Sequence, residues 1–341
     1  MSHRRLIAAL CGLLAAFPWS VSASHKTPSI DASAWLKDTS LASALTAPNQ
    51  KPFELLIRFT TPGLRGGTVA GTYHYLWLNP SQWREESAIA NFQELRVGGE
   101  QKFWQLSNTP SQPTAVAQLQ DMLDILMHGF PANDSLKPSG SFTRPINGDS
   151  EDCLISKDKH ESRTVCRDHA SHALLRTMID VHGFSGNFLK LPTRTEYSHY
   201  REFQGKEFPG ELKYWVGSSL RVDATVEKLQ PLGTLNGALF VPPSDAQEMH
   251  GCGGFSTPPQ AIYAPDPGPP SGPHHSAAAV AVLDMRLGAD GLVHFVAVQH
   301  SSGTSFDREA VRAAKQWRFN PATCDGEPVP MEINLDIRSS I

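Results

Sequence analysis

The chain has 341 residues, 40% of them hydrophobic and 19% charged, an ordinary globular balance with enough material for two domains and a sizeable core. Its formal net charge is −4, and removal of a leader carrying Arg4 and Arg5 would take it to −6. No basic field is left to hold a phosphate backbone, which excludes nucleic acid as a partner.

In chain order, Arg4-Arg5, an apolar run from Leu6 to Phe17, a break at Pro18 and the small-residue site Val21-Ser22-Ala23 predict a secretory signal peptide over residues 1–23, cut after Ala23. The rival, a retained anchor, is disfavoured because the run falls short of the roughly 20 apolar residues that span a bilayer. Leu10 stands before Cys11 where a lipid-anchor signal needs a small residue. Export leaves Cys153, Cys166, Cys252 and Cys324 in an oxidising compartment, where an even count implies two disulfides in one of three connectivities. Pairing Cys153 with Cys166 is favoured because two strand-like flanks meet at a polar tip. Cys252 with Cys324 would then tie the middle of the chain to its end, and four free thiols are the alternative.

A short helix is expected around Trp35–Leu45, then strands over 53–59, 71–78, 83–86, 92–97 and 102–106 punctuated by Gly, Asn and Pro, an antiparallel meander. Val116, Leu119, Met122, Leu123, Leu126 and Met127 recur at helical spacing and predict a helix lying on one face of that sheet. A Pro/Gly/Ser loop over 130–150 is expected next. Strands follow over 153–157, 163–168, 174–179, 188–191, 194–203, 211–215, 220–229 and 238–241. From Pro242 to Pro273 lie nine of the 26 prolines, which reads as an extended, partly stiff linker over residues 242–276.

In the last stretch, 279–287 and 292–300 flank Ala289-Asp290-Gly291 as a hairpin. Phe306, Ala310, Val311, Ala314 and Trp317 then mark one amphipathic helix with Ser305 as its N-cap, and Val329, Met331, Ile333, Leu335 and Ile337 alternate as a third strand. The order is ββαβ, with Trp317 and Phe319 as core anchors.

Asp290-Gly291, Ser301-Ser302-Gly303, Phe306-Asp307 with Ala310, Trp317-Arg318-Phe319 with Pro321-Ala322, and Asp325-Gly326 with Pro328-Val329 resemble the signature of the TonB C-terminal domain family, with a lead-in from about residue 255. This resemblance implies a periplasmic protein that docks an envelope partner, with a TonB-dependent outer-membrane receptor as a candidate, by adding a strand to the edge formed by Val329, Met331, Ile333, Leu335 and Ile337. A homodimer through the same edge is the blander alternative. An energy transducer for outer-membrane transport is a further alternative, should the leader be retained as an anchor.

Gly71-Thr72-Tyr73, Leu76-Trp77-Leu78-Asn79-Pro80, Trp83-Arg84-Glu85-Glu86 and Lys102-Phe103-Trp104 resemble, over parts of residues 53–241, the LolA-like periplasmic lipoprotein carriers. That implies a curved antiparallel sheet over a helix, with Tyr73, Tyr75, Trp77, Trp83, Phe92, Phe103 and Trp104 lining a hollow for a lipid ligand; ordinary sheet packing is the competing role for these aromatics. The fold class is therefore α+β, with a LolA-like part at 24–241 and a TonB-like part at 277–341.

Catalytic signatures are missing: there is no nucleophile elbow, zinc-protease helix, phosphate loop or dinucleotide fingerprint. An enzyme, a cofactor and a metal are not expected. His169 with His172 and His274 with His275 could each offer two imidazoles to a metal, but fourteen histidines make such pairs common by chance. Glu85-Glu86 and Asp149, Glu151 and Asp152 read as solvated surface charges.

Overall fold

The computed structural model describes residues 31–46, 50–63, 67–99, 102–109, 112–130, 137–146, 149–158, 161–181, 192–233, 237–250, 256–257, 259–268, 280–301, 303–324 and 326–338. The leader and its cleavage site, the expected strand at 188–191, Cys252, and His274 and His275 lie outside the described residues.

Helix α1 (Ala32–Ser43) begins at Asp31, whose carboxylate accepts from the Ala34 N–H at 3.1 Å, an N-cap of the usual kind. The meander follows: β1 (Phe53–Pro62), β2 (Thr68–Asn79), β3 (Gln82–Ile89), β4 (Phe92–Gly98) and β5 (Lys102–Ser107), then α2 (Thr114–His128). After it come β6 (Lys137–Ile146), β7 (Asp149–Lys157), β8 (Glu161–Asp168), β9 (Leu174–Val181), β10 (Thr193–Ser198), the small hairpin β11 (Arg201–Phe203) and β12 (Lys206–Phe208), β13 (Glu211–Val216), β14 (Ser219–Pro231) and β15 (Gln247–His250). All but β11 and β12 join one antiparallel sheet in the order β15-β5-β4-β3-β2-β1-β14-β13-β10-β9-β8-β7-β6. The long-range pairing of β14 with β1 joins the two meanders, and it forms because both strands bury alternate residues, Phe53, Leu55, Ile57 and Phe59 against Val222, Ala224 and Val226.

Helix α2 lies against this sheet, as its spacing predicts. Val116, Leu119, Met122, Leu123, Leu126 and Met127 are buried with the inward residues of β1, β2, β13 and β14 in one core. Removal of such side chains from water is worth about 1.5–3 kcal/mol each.

Four expectations are corrected. The loop over 130–150 contains β6, an exposed edge strand; Pro138 and Pro145 are tolerated there because an edge strand need not donate on both sides. Residues 194–203 break after Ser198, with His199 at φ +57, so Arg201–Phe203 belongs to a separate hairpin. Residues 238–241 hold a turn of 3₁₀ helix (Gly237–Phe240) instead of a strand. The proline-rich stretch is extended, but its described parts are paired: β15 joins β5, β16 (Ser256–Thr257) joins β21 (Ala322–Cys324), and β17 (Gln260–Tyr263) joins β20 (Arg318–Asn320).

The chain ends in β18 (Val280–Leu287), β19 (Val293–His300), α3 (Thr304–Ala314), then β20, β21, β22 (Glu327–Val329) and β23 (Met331–Arg338). Ser305 is inside the helix. The N-cap is Gly303, whose φ of +120° suits glycine, and Ser301 reaches the Asp307 carboxylate at 2.5 Å. Ala281, Leu283, Met285, Leu287, Phe306, Ala310, Ala314, Trp317, Phe319 and Ile337 form a second core. The Trp317 indole N–H donates to the Pro265 carbonyl at 3.0 Å, tying the lead-in to that core.

Cys153 and Cys166 stand opposite each other in the β7–β8 ladder and are joined by a disulfide. With a separation of 13 residues, the chain-entropy model assigns it about 3 kcal/mol. Cys153→Ser with Cys166→Ser should therefore lower the free energy of urea unfolding by about 2–4 kcal/mol with the native circular dichroism retained. An unchanged unfolding midpoint would show that the bond constrains nothing in the unfolded chain.

Candidate functional site

Alternation along β2 puts Tyr73, Tyr75 and Trp77 on the face that meets α2. Their rings form a stack continued by Phe53, with Phe53–Trp77 centroids 5.6 Å apart and Tyr73–Tyr75 centroids 6.4 Å apart. Register carries the same face across the sheet: Trp77 opposes Trp83, Tyr75 opposes Glu85, Glu85 opposes Arg96, and Arg96 opposes Gln105. The face is thus aromatic on β2 and mixed on β3, β4 and β5, where Trp83 and Phe103 stand among Glu85, Arg96 and Gln105.

Between this face and α2 is a cavity of ≈ 380 Å³. Tyr73, Tyr75, Trp77, Trp83 and Phe103 form one wall; Glu85, Arg96, Gln120, Asp121, Asp124 and His128 supply polar groups. Five of the aromatics named from sequence therefore come together. Trp104 and Phe92 are not part of the lining. Trp104 neighbours Phe103 on β5, so its side chain is on the other face, and Phe92 is packed into the core.

The reading of Glu85 and Glu151 as solvated surface is also corrected. Glu94 is buried, accepting from Gln105 Nε2 at 2.5 Å and Gln112 Nε2 at 2.9 Å, and Arg96 Nε lies 3.1 Å away. Glu85 is largely buried beside it, accepts from Gln120 Nε2 and is 3.8 Å from Arg96 Nη1. Burial pushes the Glu85 carboxyl above its ordinary value, although Arg96 and Gln120 pull the other way. Burial alone would lower the Arg96 guanidinium; Glu85 and Glu94 more than offset that and hold it up. The Tyr73 and Tyr75 hydroxyls are pushed well up by burial and by the nearby Glu85 charge. Elsewhere, Glu151 is buried in β7 and paired with Arg144 and Arg176, because its inward position demands compensation.

Asp121 differs from these. Solvent reaches it, yet protein surrounds the carboxyl, and that burial together with the charge of Asp124 pushes it up to about 6. Asp124 is 3.1 Å from His128 Nδ1. Sequence reasoning missed Arg96, Gln120, Asp121, Asp124 and His128. Two signals were available: Glu85 is two residues from Trp83 on one strand, hence on the same face, and Gln120, Asp124 and His128 share a helix flank at intervals of four.

His169 and His172 take different partners, Asp152 Oδ2 at 2.8 Å and Asp38 Oδ2 at 2.6 Å. Among the described residues, Glu151, Cys153 and Cys166 are near enough to share a metal, but the disulfide removes both thiolates.

The strand expected over 329–337 is broken at Pro330. Val329 belongs to β22 and opposes Ala322, while Met331, Ile333, Leu335 and Ile337 are in β23. Of these, Ile337 is buried and Ile333 and Leu335 pack against the core, so a partner would meet the β23 backbone and Met331 more than these side chains. The sheet order is β19-β18-β23. Its two edges differ: β19 carries extra residues at His294 and Gln299, where the register with β18 shifts, while β23 runs in unbroken register from Val280↔Arg338 to Leu287↔Met331.

Residues 276–338 match the family described as Gram-negative bacterial TonB protein C-terminal. Among solved structures, a LolA superfamily protein from Nitrosomonas europaea is similar at 13% identity, covering 62% of this chain and 98% of that one with a TM-score of 0.40. An outer membrane lipoprotein-sorting protein domain from Vibrio parahaemolyticus is similar at 10% identity, with coverages of 61% and 95% and a TM-score of 0.42. The complex of MucA and MucB from Pseudomonas aeruginosa follows at 13% identity, with coverages of 85% and 99% and a TM-score of 0.25. Both resemblances drawn from the sequence are thus among those found. A search of curated proteins by sequence returns no match. No helix among the described residues is long and apolar enough to cross a membrane.

Asp121 yields a test of the site's electrostatics. A carboxyl raised from 3.8 to about 6 favours the folded state when protonated, so its contribution is complete below 3.8 and is lost as pH rises through about 6. Asp121→Asn should therefore lose less stability than the parent chain over that window. Parallel urea titrations at both ends of it would read this, and parallel losses in the two proteins would contradict the assignment.

Proposed function

We propose that this is an envelope adaptor that docks a partner protein by adding a strand to β23. The observation that carries it is the contrast between the two sheet edges. Bulges blunt an edge against pairing, and a regular edge presents N–H and C=O groups at even spacing for an extended segment. Among the described residues, β23 is such an edge and β19 is not. The family match over residues 276–338 supports the reading and, by its Gram-negative description, a cell-envelope setting. An outer-membrane receptor is the partner class most in keeping with that match.

A second reading is favoured by the aromatic wall of the cavity: the front sheet binds a small ligand with an apolar body. A cavity of this size, with a few convergent polar groups, has the usual make-up of a small-molecule site. The polar floor argues against a sleeve for acyl chains alone.

A proline scan over positions 331–336 tests strand addition. Successive N–H groups of a strand point to opposite edges, so proline at alternate positions should break the β18 ladder and unfold the C-terminal part. At the intervening positions folding should persist while capture of partners from an outer-membrane extract falls at least tenfold. If no position separates folding from capture, strand addition is wrong.

A further inference from the structure

The cavity has a charge requirement that its aromatic wall does not reveal. Three carboxylates line it, Glu85, Asp121 and Asp124, against Arg96 and His128. Arg96 is already shared between Glu85 and the buried Glu94, and His128 is beside Asp124. Asp121 has no hydrogen bond or ion pair among the described residues, although it lines the same space as Tyr73, Tyr75, Trp77, Trp83 and Phe103.

An anionic ligand would meet an excess of negative charge there, with the available guanidinium engaged twice. A wholly apolar ligand would cover Asp121 without compensation, which is costly. A cation would pair with Asp121, and the negative faces of the surrounding rings attract ammonium groups as well. Resting on the reading of the cavity as a ligand site, we propose that it binds a small organic cation, an ammonium group borne on an apolar or aromatic body. The ammonium is held by Asp121, with Glu85 and Asp124 adding to the field, and the body lies along Tyr73, Tyr75, Trp83 and Phe103.

The test uses the full chain and three probes of matched shape: phenylbutyltrimethylammonium, phenylbutanol and phenylbutanoate, titrated by calorimetry. The cation should bind about tenfold or more tighter than the alcohol, and the carboxylate weakest. Asp121→Asn should remove most of the preference for the cation while leaving phenylbutanol unchanged; Asp124→Asn, tested beside it, should cost less. Trp83→Leu should weaken the cation and the alcohol alike, which places binding in this cavity. Equal affinities for the three probes would overturn the charge requirement while leaving the cavity as a ligand site. Tightest binding of phenylbutanoate would overturn it in favour of Arg96 as the recognising group. Should none bind, both the proposal and the ligand-site reading fall, and cation binding untouched by Trp83→Leu would move the site elsewhere and overturn the proposal.

Discussion

A single helix has to satisfy two different surfaces of one sheet, and the seating of α2 follows from that. Toward β1, β2, β13 and β14 it buries Val116, Leu119, Leu123 and Leu126 against Phe53, Leu55, Ile57, Leu212 and Ala224. Toward β3, β4 and β5 it meets Glu85, Glu94 and Arg96, so its flank must offer hydrogen bonds, and Gln120 together with Gln112 in its lead-in supplies them. Buried charges without such partners would cost several kcal/mol each. The polar seam therefore sets the rotation of α2, because turning the helix by one residue would bring Leu119 or Asp121 to Glu85 in place of the Gln120 amide.

The cavity is a consequence of the same arrangement. Where the apolar face of α2 gives way to Gln120, Asp121 and Asp124, close packing against Tyr73, Tyr75 and Trp83 cannot continue. Large rings on strands and short acidic side chains on a helix leave space between them. The site thus lies at the boundary between a packed and a hydrogen-bonded half of one interface.

The two ends of the chain use sheet edges in opposite ways. The front sheet ends in β15, of four residues, at one side and in β6, exposed and carrying Pro138 and Pro145, at the other. In the C-terminal sheet β19 is bulged and β23 is regular. Bulges and prolines both discourage pairing; β23 carries neither over Met331–Arg338, and β15, which also carries neither, is only four residues long.

Much of this was legible in the sequence by itself. Helices α2 and α3, the meander, the ββαβ order and the inward aromatics of β2 follow from local periodicity, since spacing of 3.6 or 2 is written in consecutive residues. The hairpin that brings Cys153 to Cys166 is local too. Tertiary structure decided what depends on distant residues: that β14 closes on β1, that proline-bearing β6 is a strand because an edge was available, and that Glu85 is buried because a glutamine 35 residues away reaches it. A carboxylate's sequence neighbours say little about whether it is solvated. Its burial is settled by the charges and donors that folding places around it, and Arg96, Gln120 and Asp121 come from elements whose meeting no local pattern encodes.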